Sequence, residues 1–291
     1  MITVVGSIAY DAVRTPSGAR ERMLGGAATH FALAASLFDR VCVVGRVGED
    51  FDGFDVLRTR GTDTRDVEQV PGSTFFWRGE YGDDLNSRRT LDTRLGVFAG
   101  FAPVLSKPAR ACDALFLANI QPQLQRAVLD QCCARFVALD SMDLWIETER
   151  EALLDVVADV DCVILNDAEI RQLTNKPSLV GAANEILAMG PSIVIAKQGE
   201  YGAVAISSDT YFSLPAFPLE TVVDPTGAGD TFAGGFVGWL AKNPGDYRTA
   251  MAYGTALASF NVEEFGTERV LRLTLPEVEE RVSALASMTR L

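Results

Sequence analysis

Six short apolar runs recur along the 291-residue chain: ITVVGS, VCVVGRVG, ALFLANI, RFVALD, CVILND and SIVIAKQG. Each is continuous rather than alternating, the pattern of a strand covered on both faces within a parallel sheet. The segments between them place apolar residues three and four apart, which predicts helices over 123–133, 149–157, 179–189 and 275–285. Alternating strands and helices imply an α/β fold in three layers, with a mostly parallel central sheet flanked by helices. No repeat, low-complexity tract or linker interrupts the pattern, so residues 1–291 are expected to form a single domain.

One stretch breaks the rhythm. From 73 to 98 the sequence STFFWRGEYGDDLNSRRTLDTRLGVF alternates aromatic and polar residues around Gly82, Asp83 and Asp84, which predicts an exposed hairpin. Such an excursion is either a decorative hairpin or a lid over a ligand site. The formal net charge of -13 disfavours a nucleic-acid partner, because the densest basic spot, Arg88 and Arg89, sits beside Asp83 and Asp84. The five cysteines lack CxxC spacing and read as reduced core thiols of a cytoplasmic protein. The longest run without a charge, 23–38, falls short of the about 20 apolar residues a membrane span needs. No basic segment precedes an apolar stretch at the N-terminus, so neither membrane insertion nor a signal peptide is expected.

Candidate chemistry concentrates in VVDPTGAGDTFAGGFVGWLA, residues 222–241. A glycine-rich turn leads into an apolar helix, so Gly227, Ala228 and Gly229 fall at the helix N-terminus. Backbone N–H groups there lack intrahelical partners and, with the helix dipole, form an anion site. Asp230, in the first turn, reads either as a capping carboxylate or as a general base that takes a proton from an attacking hydroxyl during phosphoryl transfer. The turn lacks the GxxxxGK[ST] of a P-loop, and Phe232 at the sixth position of GAGDTF breaks GxGxxG.

This turn closely resembles the D-x-x-G-A-G-D signature of the ribokinase-like (PfkB) kinases. The resemblance implies a ribokinase-like fold with a small β lid, its segments inserted at about 12–24 and 73–98. It implies an ATP-dependent kinase with Asp230 as base and Gly227, Ala228 and Gly229 as anion hole. Magnesium is implied as cofactor and, through Asp224 and Thr226, a monovalent cation such as potassium, with Thr226 also on the ATP side. GSIAYD, residues 6–11, is similar to the family's first strand, whose terminal carboxylate, here Asp11, grips substrate hydroxyls; α/β sheets also place ligands at that strand end. LGGAATHFALAASLF resembles the N-terminal signature, in which Gly25 and Gly26 turn the backbone close to a bound sugar. LNDAEIRQL resembles the N-x-x-E motif, in which Asn166 and Glu169 organise the magnesium and phosphate region, Glu169 mostly through water. Glu169 reads equally as an ordinary helical charge. The family alignment puts Lys197 beside the ATP phosphates, with a solvated strand-end lysine as the plain alternative. Gly199 would permit close nucleotide approach, and AMAYGTALASFNVEEFG resembles the adenine-pocket helix, with Gly254 and Ala258 leaving room for a flat base.

The chain departs from the pattern at Ala9, where ribokinase has Asn, and at His30, where ribokinase and adenosine kinase have Asn. A lone His in an apolar helix is either a satisfied core residue or, at this turn, a group facing the substrate. The segment from Asp11 to Gly25 is shorter than ribokinase-type chains devote to a lid strand pair, and 73–98 is expected to compensate. Its aromatics Phe75, Phe76, Trp77 and Tyr81 would cover a base or pack on a second subunit's lid in a homodimer. Asn119, Asp140 and Trp145 are expected to line the acceptor pocket. The expected acceptor is a nucleoside, at its ribose 5′-hydroxyl; a sugar kinase is the alternative, and a non-catalytic nucleotide or sugar sensor, with no use for Asp230, a more distant one.

Overall fold

The computed structural model describes residues 1–289; residues 290 and 291, the last of the expected domain, lie outside it. The six apolar runs form β1 (Ile2–Val5), β4 (Val41–Gly48), β8 (Ala114–Leu117), β9 (Phe136–Leu139), β10 (Cys162–Asn166) and β11 (Ile193–Lys197). All are parallel and lie in the order β11-β10-β9-β8-β1-β4, and β5 (Asp63–Val70) extends the sheet beyond β4, also in parallel. Antiparallel strands β12 (Ala203–Ile206) and β13 (Tyr211–Leu214) complete the other edge, giving nine strands.

The pleat sorts side chains onto two apolar faces. Ile2, Val4, Val43, Phe116, Ile164 and Ile195 point to one side, where helices Ala27–Ala35, Ala228–Leu240 and Tyr247–Asn261 cover them. Val5, Val44, Leu115, Leu117, Val163 and Leu165 point to the other, under helices Pro122–Leu129, Arg150–Val157, Asp167–Thr174 and Leu179–Met189. The expected helix over 123–133 starts one residue earlier, with Pro at its first turn, and ends at Leu129. Beyond it the Gln131 amide turns away to bond the Pro103 carbonyl at 2.9 Å and the Leu105 N–H at 3.1 Å.

A second sheet of four strands has the order β3-β2-β6-β7, from β2 (Ala9–Thr15), β3 (Gly18–Gly25), β6 (Phe75–Tyr81) and β7 (Arg88–Arg94). The short first segment therefore does carry a strand pair, and the 73–98 hairpin docks on it through the parallel pairing of β2 with β6. Asp11 is consequently not at the end of strand one. β1 stops at Val5 because the next residues are diverted to the following helix: the Ser7 carbonyl accepts from Ala28 N–H at 3.0 Å and the Ser7 hydroxyl oxygen from Ala27 N–H at 3.1 Å. The chain then enters the small sheet, with Asp11 within β2.

The closest aromatic contact in the core is Phe31 on Phe116, stacked at 4.3 Å between ring centres with both side chains fully buried. Phe31→Ala should lower the unfolding free energy by about 3–5 kcal/mol, read as a lower denaturant midpoint at unchanged m-value.

Candidate active site

Parallel strands bring their C-terminal ends to one edge, and Asp140, Asn166 and Lys197 follow or close β9, β10 and β11 there. Lys197 Nζ donates to Asp140 Oδ2 at 2.8 Å, a largely buried ion pair. The same ammonium lies 3.1 Å from the point a side-chain carbon on Gly229 would occupy. Lys197 thus overhangs the glycine turn, and a side chain at 229 would press on its ammonium.

Gly227 opens the helix in the left-handed region, at φ +75°. A Cβ there would come within 2.4 Å of the His30 imidazole, so the turn rests directly on that ring. His30 is buried. The Asn261 carboxamide oxygen accepts from the Thr231 hydroxyl at 2.9 Å and meets His30 Nδ1 at 3.1 Å, while its nitrogen donates to the Thr226 carbonyl at 2.8 Å. This network assigns the proton of the neutral imidazole to Nδ1. Burial lowers the His30 pKa and keeps the ring uncharged despite the Asp224 carboxylate nearby. His30, Asn261 and Thr231 are a pedestal for the turn. Asn261 was missed in the sequence, where its one signal is a polar residue closing an otherwise apolar helix.

Asp224 pins the other end of the turn. Its oxygens accept from Thr226 N–H at 2.9 Å and Gly266 N–H at 3.0 Å, and the residue is fully buried. Among the described residues it forms no ion pair.

Asp11 reaches this region from the small sheet. A Cβ on Gly25 would collide with its carboxylate, so the di-glycine turn is shaped as a seat for Asp11. Burial, first, and then the charges of Asp224 and Asp230 push the Asp11 carboxyl up to about 7. Burial, followed by Asp140, also brings Asp230 up to about 7 against the pull of Lys197 and Arg88. Arg88, read in the sequence only as a basic spot on the hairpin, is therefore felt by both carboxylates.

Asn166 and Glu169 are brought together as a reciprocal cap: Glu169 Oε2 accepts from Asn166 N–H at 2.8 Å and Asn166 Oδ1 from Glu169 N–H at 2.7 Å. Burial raises the Glu169 carboxyl to about 7, with Lys197 opposing. Trp145 Nε1 donates to Asn119 Oδ1 at 3.1 Å, but Trp145 stands on the helix Asp143–Thr148, not at a strand end.

Gly254 and Ala258 both stand on the helix Tyr247–Asn261. Gly254 faces no open space: a Cβ there would meet the Phe232 carbonyl oxygen at 2.9 Å, so its smallness serves the close packing of two helices. Ala258 is half-buried on the same helix. Gly199, at φ +58°, is approached by the Asn86 carboxamide from the hairpin tip, and Asn86 Nδ2 donates to Glu200 Oε1 at 3.2 Å. The Thr226 hydroxyl donates to Tyr81 Oη at 3.2 Å. Strands β6 and β7 thus span the site, touching the glycine turn with Tyr81 and the Gly199 turn with Asn86. Trp77 is the register partner of Asp11 and so shares its face of the sheet, with the Arg88 guanidinium 5.6 Å from the indole centre.

The sequence profile described as pfkB family carbohydrate kinase matches residues 107–272, more than half of the chain. A cytidine kinase of Thermococcus kodakarensis is 29% identical over 251 residues, covering 83% of this chain and 88% of that protein. A nucleoside kinase of Methanothermobacter thermautotrophicus is 27% identical over 266 residues, covering 89% and 83%. The structure of a Burkholderia thailandensis nucleoside kinase in complex with inosine superposes with a TM-score of 0.84 over 99% of this chain and 98% of that one, at 20% identity.

Because Gly227 combines a left-handed backbone with contact to the imidazole, Gly227→Ala should destabilise the protein by at least about 1–2 kcal/mol from the backbone alone. Combining it with His30→Ala should return part of any further loss, since the ring is then gone. A calorimetric double-mutant cycle with zero coupling would show that the turn does not rest on His30.

Proposed function

Since the chain belongs to the pfkB family of carbohydrate kinases, we propose that it transfers the γ-phosphoryl group of ATP to the 5′-hydroxyl of a nucleoside, with Asp230 as general base. One observation carries this reading: an ammonium, a glycine turn at a helix N-terminus and a carboxyl raised to about 7 converge within the reach of a second, diol-binding carboxylate. Asp11, seated on Gly25 and Gly26, holds the ribose diol by charge-assisted hydrogen bonds. Asp230 takes the proton of the attacking hydroxyl as its oxygen bonds the γ-phosphorus and the bond to the β–γ bridging oxygen breaks, releasing ADP. The N–H groups at Gly227, Ala228 and Gly229, with Lys197, face the charge that builds on the transferring group. Arg88 adds a cation from the lid side.

Asp11, Asp140, Asp224, Asp230 and Glu169 outnumber Lys197 and Arg88, so a triphosphate enters against excess negative charge unless a cation accompanies it. Magnesium would supply that charge; Glu169, with Oε2 on its own cap, has Oε1 left to hold it, mostly through water. The uncompensated Asp224 supports the placement of potassium beside Asp224 and Thr226.

The preference for a nucleoside rests on Trp77, an indole on the same face of the small sheet as the diol carboxylate, lying over Gly79 and bonded to Thr90. Relatives described as cytidine and nucleoside kinases and a neighbour holding inosine agree with it.

Asp230→Asn should cut kcat by about 10²–10⁴-fold with ATP binding retained. The base works ionised, so wild-type kcat/KM should fall as pH drops through about 7, the raised value of Asp230. Loss of less than threefold in the variant refutes the assignment.

Stacking on Trp77 is worth roughly 1–3 kcal/mol, or about 5- to 150-fold. Trp77→Ala should therefore lower kcat/KM on inosine, adenosine or cytidine by that factor and leave ribose nearly unchanged. A free sugar preferred tenfold over every nucleoside in the wild type would instead make the protein a sugar kinase.

A further inference from the structure

Away from the proposed site, at the opposite ends of the strands, two thiols meet. Cys112 follows the short helix Lys107–Arg110 and leads into β8, and Cys132 lies in the turn beyond the helix Pro122–Leu129. Their sulfurs are 3.4 Å apart, and Cys132 Sγ also lies 3.4 Å from the Arg110 carbonyl oxygen. Cys112 is buried and Cys132 half-buried; the neighbouring Cys133 is exposed, while Cys42 and Cys162 are buried in the core. A disulfide needs the two sulfurs about 1.4 Å closer, at about 2.05 Å. The Cys132 turn lies outside helix and strand, its backbone held by Cys132 N–H on the Leu129 carbonyl at 3.2 Å and Cys133 N–H on the Arg110 carbonyl at 3.4 Å, so the approach falls to the two side chains.

We propose that Cys112 and Cys132 are a reversible dithiol–disulfide pair, with Cys112 as attacking sulfur and a hydroperoxide small enough to reach a half-buried pair as oxidant. Either sulfur can donate in the contact between them; the pairing brings the Cys112 pKa down to about 7 against its burial and, with burial, raises that of Cys132, which makes Cys112 the attacking sulfur. Cys112 Sγ attacks a peroxide oxygen and the O–O bond breaks. Cys112 becomes a sulfenic acid, and the departing hydroxide takes up the proton that Cys112 had released. Cys132 Sγ then attacks the Cys112 sulfur, the S–O bond breaks, and the hydroxyl leaves as water with the Cys132 proton. Two thiols give up two electrons and the peroxide accepts them. The bond would close a loop holding β8, its following helix and Asn119.

The experiment uses the full chain, treated with a small excess of hydrogen peroxide, alkylated under denaturing conditions and mapped by peptide mass. Alkylated cysteines should fall from five to three, with a Cys112–Cys132 bridge that dithiothreitol reverses. Cys133→Ser should leave the bridge intact, and Cys132→Ser should leave a sulfenic acid on Cys112 that dimedone captures. Absence of the bridge in wild type, its loss in Cys133→Ser, or dimedone labelling at another cysteine in Cys132→Ser would each overturn the assignment.

Discussion

A single ammonium group holds together a carboxylate-rich end of the sheet. Lys197 donates to Asp140, overhangs Gly229, and lies within electrostatic reach of Glu169 and Asp230. Burial works against its charge, but those carboxylates together keep its pKa above the ordinary lysine value. Removing it would leave Asp140 as a buried charge without a partner, which costs far more than an exposed pair contributes. One lysine is still insufficient: Asp11, Asp230 and Glu169 all bind protons more tightly in the folded protein than in the unfolded chain. Groups raised in this way stabilise the fold below the ordinary carboxylate range and lose that contribution as pH rises through about 7. The ligand-free protein is thus least comfortable at the pH where Asp11, Asp230 and Glu169 are ionised together.

The lid is tied into this arrangement. Tyr81 meets Thr226 beside the buried Asp224, and Asn86 meets Glu200 next to Gly199. Both contacts are single hydrogen bonds, one part-buried and one exposed, each worth roughly 1 kcal/mol, so they tether the small sheet only weakly.

Much of the large sheet was legible because buried parallel strands leave continuous apolar runs, and the glycine turn because its function needs small residues in a fixed local order. The small sheet was harder to read. Ser7 diverts the chain to cap a helix, and no local pattern in GSIAYD distinguishes that from a strand continuing to Asp11. The pairing of His30 with Asn261 joins residues from opposite ends of the sequence, so nothing near either one announces it. Glycines are ambiguous for the same reason: Gly229 is small for Lys197, Gly25 for Asp11 and Gly254 for a neighbouring helix, and the sequence shows only the absence of a side chain. The Asn166–Glu169 motif is legible twice over, because the pair that caps a helix is also the pair that faces the sheet edge.

The parallel pairing of β2 with β6 has a consequence for how the molecule comes into being. Parallel neighbours cannot be joined by a tight turn, and here β3, two helices and two strands of the large sheet intervene. The lid therefore cannot nucleate as a local hairpin pair; its central ladder closes only after β4 and β5 have been laid down, a step of high contact order. Asp224, Asp230 and Asn261 arrive later still, from the other end of the chain. A nascent polypeptide emerging from the ribosome carries Asp11 and its di-glycine seat long before the glycine turn at Gly227 exists to face them.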